Sequence, residues 1–209
     1  MSNLNDLTQA VSGGKTKLVP ELTQAALADG NKAEDILNAM IGAMGEVGEK
    51  FSNGEIFVPE MLVAAKAMQK GLEILKPALA DTGAVSAGKC IVGTVQGDLH
   101  DIGKNLVAIM IESSGFDVID LGVDVSIEKF IETLKANPDC SILALSSLLT
   151  TTMPSMRSTV AAVRESGLSG FKIIAGGAPI TEAFATEIGA DGYADDAAGA
   201  AVLAKSLIN

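Results

Sequence analysis

The chain has 209 residues, of which 48% are apolar, and its formal net charge at pH 7 is −11. An acidic surface repels the phosphate backbone of nucleic acid, and with no Trp and one Tyr the chain offers few rings for base stacking. No stretch reaches the roughly 18 uncharged apolar residues that a membrane span needs. We therefore expect no nucleic-acid partner and no membrane segment.

The N-terminus and the cysteines bear on the compartment. The first six residues, MSNLND, have neither the basic region nor the apolar run of a signal peptide. Cys90 and Cys140 each lie in an apolar run that is typical of a buried strand, which favours free thiols. These features predict a cytoplasmic protein.

Residues 1–85 have the pattern of a small bundle of about four helices. One helix is predicted over residues 33–51 and ends at Ser52–Gly54, and another runs from Pro59 to just before Pro77. Methionines recur on one face of both helices. Such stripes are more typical of a core than of a ligand surface, although both interpretations stay open.

The pattern changes after residues 81–88, which are small and turn-prone and which we interpret as an interdomain linker. Residues 86–209 form the second predicted domain, in which short apolar strands alternate with helices. The predicted strands are 89–95, 116–121, 140–145, 171–175 and 190–194. The predicted helices are 103–114, 126–136, 153–166, 181–188 and 196–208. The fold class is therefore α/β, a helical bundle followed by a doubly wound, flavodoxin-type sheet of five parallel strands in the order 2-1-3-4-5.

Three unusual loops follow the first, third and fourth predicted strands. The first contains the only histidine, His100, with Asp98 two residues earlier; imidazole is a common metal ligand, and a carboxylate can orient it. The second, residues 146–152, has five hydroxyl side chains, and the third begins with Gly176 and Gly177. Because these three strands are neighbours in the predicted order, all three loops line the edge where doubly wound sheets bind ligands.

Each loop also has an ordinary structural interpretation. Asp98 is a suitable cap for the next helix, the Ser/Thr run for the helix at 153–166, and paired glycines suit a tight turn. Taken singly, short motifs of this kind often have no function. Their convergence on one edge favours a ligand site.

Three separated motifs, Asp98-x-His100-x-x-Gly103, Ser146-x-Leu148 and Gly176-Gly177, resemble in order and spacing the cobalamin-binding signature of corrinoid proteins and methionine synthase. The stretch from Val47 to Glu60 resembles the helical cap of the methyl-transferring members. The resemblance covers nearly the whole chain. It is strongest to the free-standing corrinoid proteins of methylamine- or methanol-type methyltransferase systems.

This resemblance implies that the cofactor is cobalamin or a related corrinoid, with His100 as the lower axial ligand of cobalt. Asp98 and Thr152 would complete a relay behind His100; the family has serine where Thr152 stands. Phe51 and Val58 of the first domain would cover the upper face of the corrin. The cofactor contacts in the second domain would lie near the displaced nucleotide tail. The implied cofactor contacts besides His100 and Asp98 are Phe51, Val58, Gly103, Ser146, Leu148, Thr150, Gly176 and Gly177.

The function implied by the resemblance is that of a methyl carrier without catalysis of its own. Cobalt(I) would accept a methyl group on a substrate:corrinoid methyltransferase, and methyl-cobalt(III) would donate it to a second methyltransferase acting on a thiol or tetrahydrofolate. A reductive activation protein would restore oxidised cobalt. A bundle rich in Met, Ala and Phe suits the water-poor cover that cobalt(I) needs. The methyl donor stays open among methanol, methylamines, betaines and methoxylated aromatics.

Other protein classes share parts of this pattern. A cobalamin-binding sensor or transcription regulator uses the same two domains, but it needs a DNA-binding module, and the acidic charge opposes one. The small subunit of an adenosylcobalamin mutase has the Asp-x-His-x-x-Gly signature without the helical cap. A response-regulator-like receiver shares only the fold and leaves the single histidine unexplained.

Overall fold

The computed structural model describes residues 4–82 and 87–208, apart from the side chains of residues 80–82. It contains two compact units: residues 4–82 together with 113–115, and residues 87–112 together with 116–208. In these ranges no helix combines the length and the apolar character needed to cross a membrane.

The first unit is built from four helices in the described residues. They are α1 (Leu4–Ser12), α2 (Leu18–Ala28), α3 (Ala33–Ser52) and α4 (Val58–Thr82). The methionines of α3 and α4 are buried and belong to the core, as their helical spacing favours. These core residues are Met40, Met44, Met61 and Met68.

Helix α4 continues through Pro77 to Thr82, so the prediction that it ends before Pro77 is wrong. Proline removes the hydrogen bond to the carbonyl four residues earlier, that of Glu73. Both Pro77 and Glu73 are exposed, so water can satisfy this carbonyl, and the alanines and leucine that follow favour helix. Of the predicted linker, residues 81–82 therefore belong to α4, while residues 83–86 lie outside the described residues.

The second unit alternates strands and helices as predicted, with ends that differ by at most two residues. The strands are β1 (Lys89–Thr94), β2 (Asp117–Asp120), β3 (Cys140–Ser146), β4 (Lys172–Gly176) and β5 (Gly192–Ala194). The helices are α5 (Ile102–Ser113), α6 (Ile127–Ala136), α7 (Met153–Glu165), α8 (Glu182–Glu187) and α9 (Ala197–Ile208). A short 3-10 turn at Thr150–Thr152, which periodicity does not predict, precedes α7.

The five strands form one parallel sheet in the order β2-β1-β3-β4-β5, which confirms the predicted topology. Its register matters for function because Thr94 of β1 pairs with Ser146 of β3, and Ser146 pairs with Gly176 of β4. The three strands thus end side by side. The loops that follow them begin at adjacent positions on one edge of the sheet.

One core of the second unit joins the sheet to α6, α7 and α8, and it includes Phe130, whose side chain is fully buried. Its ring lies against the main chain of β1, where a Cβ added at Gly93 would lie 2.8 Å from two ring atoms. The absence of a side chain at Gly93 is therefore what lets the ring approach the sheet.

We expect Phe130→Ala to lower the free energy of unfolding of the second unit by about 3–5 kcal/mol, because it removes a buried ring and leaves a cavity. Urea denaturation monitored by circular dichroism measures this loss. Phe57→Ala is the matched control, since the Phe57 side chain is 68% exposed. Equal losses in both variants would contradict the assignment of Phe130 to the core.

Candidate functional site

The edge where β1, β3 and β4 end is organised around the buried carboxylate of Asp98. Its Oδ1 accepts hydrogen bonds from the main-chain N–H of His100 at 3.1 Å and from the His100 ring at 2.9 Å. Its Oδ2 accepts from the N–H groups of Leu148 at 2.7 Å and Leu149 at 3.3 Å, and from the Thr152 hydroxyl at 2.8 Å. One side chain therefore joins the loop after β1 to the loop after β3.

These hydrogen bonds set the charge state of Asp98. Burial by itself raises the pKa of a carboxyl group, but hydrogen bonds from Leu148, His100 and Thr152 favour the ionised form and outweigh it. The pKa of Asp98 is consequently held well below its ordinary value of 3.8. Asp98 is an anion at neutral pH.

The state of Asp98 determines which nitrogen of His100 is available. A carboxylate only accepts hydrogen bonds, so the Nδ1 atom of His100 must donate to it. In a neutral imidazole the lone pair then lies on Nε2. The His100 side chain is 51% exposed, and the described residues give its Nε2 no hydrogen-bond partner. His100 is thus an oriented imidazole with one nitrogen ready to bind a metal.

The hydrogen-bonded chain continues behind Asp98 into the protein. Thr152, which is 6% exposed, donates to Asp98, and its Oγ1 lies 2.8 Å from the Oγ of Ser147. Since the Thr152 proton is engaged with Asp98, Ser147 donates in this second contact. The result is a continuous line from the His100 ring through Asp98 and Thr152 to the fully buried Ser147.

The glycines after β4 fix the position of the hydroxyl-rich loop. Gly177 has a φ of +124°, and a Cβ added there would lie 1.9 Å from the main-chain oxygen of Ser147. The neighbouring Gly176 accepts a hydrogen bond from the Ser147 N–H at 3.1 Å. A side chain at Gly177 would therefore displace the segment that carries Ser147.

The remaining predicted site residues do not join this hydrogen-bonded cluster through a side chain, and two of them lie in the other unit. Ser146 ends β3, the exposed Thr150 begins the 3-10 turn, and a Cβ added at Gly103 near the start of α5 would meet no atom within 4 Å. Phe51 in α3 and Val58 at the start of α4 are both half-buried in the helical unit.

Three residues of the site were missed from the sequence. Ser147 belongs to the hydroxyl-rich segment 146–152, so the composition of that segment was the signal that could have identified it. The buried Thr94 at the end of β1 donates its hydroxyl proton to the His100 carbonyl at 3.0 Å. Asp124, in the loop after β2, accepts a hydrogen bond from Gly97 at 2.7 Å. No motif marks Thr94 or Asp124 in the sequence.

The start of α5 is held to the end of β2 by a buried cation. The Lys104 side chain is 1% exposed and forms an ion pair with Asp120. Its Nζ also donates to the amide oxygen of Asn105 at 2.6 Å. A buried charge is tolerated because it is paired and hydrogen-bonded, and the pair anchors the helix that follows His100.

Both units match known protein families. Residues 88–202 match a family described as "B12 binding domain", and residues 4–76 match a second family with the same description. Dimethylamine corrinoid protein 1 of Methanosarcina acetivorans is 40% identical over 207 residues, which covers 98% of this chain and 97% of the relative. The chain belongs to the corrinoid protein family. Corrinoid proteins of this family carry cobalamin-binding domains, so the cofactor of this chain is a cobalamin or related corrinoid.

Two solved structures share the complete fold of this corrinoid protein. A cobalamin-binding protein from Desulfitobacterium hafniense has a TM-score of 0.84 and 33% identity, and the match covers 100% of both chains. A chain of the methanol:cobalamin methyltransferase complex from Methanosarcina barkeri has a TM-score of 0.82 and 30% identity, covering 97% of this chain and 78% of that one. The helical N-terminal region and the Rossmann-like domain are thus both family features.

The residues at the sheet edge fit a corrinoid. Within residues 4–82 and 87–208, no group of three or more His, Cys, Asp or Glu side chains could hold a metal ion. A cobalt-containing macrocycle brings its other ligands with it, so it needs only a single imidazole from the protein. Exposed apolar side chains next to His100 and Asp98 suit the face of such a ring. They are Leu99, Ile102, Leu148 and Leu149.

The lowered pKa of Asp98 predicts how the free energy of unfolding depends on pH. Asp98 stabilises the fold fully above its unfolded-state pKa of 3.8, and this contribution is lost as the pH falls below that value towards the lower pKa of the folded state. Asp98→Asn should therefore lower stability at neutral pH and flatten its decline below about pH 4. Urea unfolding across this pH range measures both effects.

Asp117→Asn is the matched control, because Asp117 is an exposed acid at the start of β2, whereas the site lies at the edge where the strands end. It should keep the wild-type pH profile. An Asp98→Asn profile that runs parallel to the wild type would contradict the hydrogen-bonding account of Asp98.

Proposed function

We propose that this corrinoid protein is a methyl carrier: the cobalt of its bound corrinoid takes a methyl group on one methyltransferase and delivers it on another. The proposal depends mainly on the hydrogen bonding of His100. Its Nδ1 donates to the buried Asp98, so Nε2 is available to bind a metal. The names of its relatives, dimethylamine corrinoid protein and methanol:cobalamin methyltransferase complex, support methyl transfer as the purpose of the site.

In this proposal, His100 would hold the cobalt through Nε2 and would not contact the methyl group. Asp98 increases the electron density on Nε2 by accepting the Nδ1 proton. The Asp98 anion would also stabilise a proton on His100 whenever Nε2 is not bound to cobalt. Thr152 and Ser147 hold Asp98 in place through their hydroxyls.

The loops after β3 and β4 would hold the displaced nucleotide tail of the corrinoid. Ser146, Leu148 and Thr150 offer hydroxyl and apolar contacts at this edge, and the open space beside Gly103 favours close approach of a ligand. Gly176 and Gly177 would act there mainly through Ser147, against which they pack.

The helical unit, assigned to residues 1–85, would serve as the cap of the upper, methyl-bearing face. Phe51 and Val58 are its proposed contacts with the corrin, and both are apolar and half-buried. Support for a cap comes from the match of residues 4–76 to a B12 binding family. A cover over the reactive cobalt must open for each partner, as lids do in many enzymes.

Three partners follow from a carrier of this kind. The first is a substrate:corrinoid methyltransferase, for which methylamines are the favoured donors because dimethylamine corrinoid protein 1 is 40% identical to this chain. The second is a methyltransferase that acts on a thiol or on tetrahydrofolate. The third is a reductive activation protein that restores cobalt after oxidation.

Reconstitution with hydroxocobalamin tests the role of His100. The wild type should bind one equivalent, and its cobalt(II) form made with 15N-histidine should show a doublet superhyperfine pattern in electron paramagnetic resonance. A triplet would instead indicate the benzimidazole nitrogen of the cofactor. His100→Ala should lose the doublet, while Asp101→Asn, next to His100, should keep it. A triplet in the wild type would overturn the assignment.

The relay is tested at Thr152, where two substitutions separate the hydroxyl from the shape. Thr152→Val keeps the shape but removes the hydrogen bond to an ionised carboxylate, a loss of about 1.5–3 kcal/mol that should weaken His-ligated binding by tenfold or more. Thr152→Ser keeps the hydroxyl and should behave as the wild type. Spectrophotometric titration with hydroxocobalamin measures both, and equal affinity of the Val and Ser variants would contradict the relay.

A further inference from the structure

The loop that carries Asp98 and His100 is held from one side by Asp124, a residue outside every motif described above. Asp124 lies between β2 and α6, and its φ is +52°. In the part of the chain that the structure describes, every other residue with a left-handed φ is a glycine. A side chain in this conformation is strained, and such strain persists where the surroundings require it.

Two hydrogen bonds connect Asp124 to the loop. The Gly97 N–H donates to the Asp124 carboxylate at 2.7 Å, and the Asp124 N–H donates to the main-chain oxygen of Asp98 at 2.9 Å. Gly97 is itself left-handed, with a φ of +85°. The main chain on both sides of the Gly97–Asp98 peptide is therefore fixed by a single residue.

The segment around Asp124 is in turn anchored to the sheet. The Val125 N–H donates to the Thr94 carbonyl at 3.0 Å, and Val95 and Val125 form a parallel bridge. Asp124 therefore connects the edge of the sheet to the loop that begins after Val95, and it fixes the loop relative to the sheet.

The residue type is informative because glycine adopts a φ of +52° with least strain. Glycine has no acceptor for the Gly97 N–H, whereas aspartate tolerates the left-handed region and supplies one. The strain of a side chain here is therefore balanced by the bond to Gly97, and that bond determines the path of the loop.

We propose that Asp124 is a positioning residue for the cobalt ligand: it fixes the Gly97–Asp98 main chain before the corrinoid binds, so that His100 is already aligned. This inference depends on the proposed function in one respect: it takes His100 as the protein ligand of cobalt. A loop fixed in advance loses less conformational entropy on binding, so the alignment strengthens ligation without any contact between Asp124 and the cofactor.

Three substitutions separate the acceptor, the charge and the strain. Asp124→Asn keeps an acceptor oxygen and removes the charge, Asp124→Gly removes the acceptor and the strain, and Asp124→Ala removes the acceptor but keeps the strain. We expect Asp124→Gly and Asp124→Ala to weaken His-ligated hydroxocobalamin binding about fivefold, which corresponds to one hydrogen bond of about 1 kcal/mol. Asp124→Asn should bind as the wild type.

The 15N doublet of the cobalt(II) form distinguishes positioning from stability. In Asp124→Gly a mixture of His-ligated and benzimidazole-ligated signals should appear, although the relief of strain keeps its melting temperature near that of the wild type. A pure doublet with wild-type affinity in Asp124→Gly would overturn the proposal. So would a loss in Asp124→Asn as large as that in Asp124→Gly, because charge would then be the cause.

Hydrogen exchange of the protein without cofactor tests the clamp independently of cobalt. The Gly97 amide should exchange about fivefold faster in Asp124→Gly than in Asp124→Asn, as one hydrogen bond predicts. Unchanged exchange would overturn the proposal. If the wild type itself lacks the His100 doublet, the proposed function fails, and this exchange measurement still decides whether Asp124 holds the loop.

Discussion

The site depends on one constraint, the burial of the Asp98 charge. An unpaired carboxylate inside a protein is costly, so the fold has to supply donors to it from every side. Two main-chain N–H groups, one hydroxyl and the imidazole and N–H of His100 do so. The orientation of the imidazole is therefore a consequence of satisfying a buried anion.

The sheet topology makes that arrangement possible. Three of the donors to Asp98 come from residues 50 to 54 positions later in the chain, and they meet it because β1 and β3 are neighbours with aligned ends. The glycines after β4 extend the same alignment to a third strand, since Gly177 leaves room for the main chain of Ser147. Each loop is positioned by the strand before it, and the buried carboxylate joins the loops.

Much of this was readable from the sequence because it depends on local patterns. Apolar periodicity located the strands and helices of the second unit, and the chain order of the loops placed His100, Asp98 and Thr152 at one edge. The predicted end of α4 before Pro77 was wrong, because the sequence pattern does not show that this face of the helix is exposed to water. Thr94 and Asp124 could not be found, because their roles arise from contacts with loop atoms that no motif records.

The shared carboxylate also bears on how modular the fold is. The segment around His100 is short enough to be treated as an independent motif. However, its Asp98 carboxylate accepts hydrogen bonds from main-chain groups of a different loop, and its main chain is held by Asp124 after β2. Grafting that segment alone onto another doubly wound sheet would transplant an unsatisfied charge. The smallest transferable part is the three-loop edge with the strand ends that keep it in register.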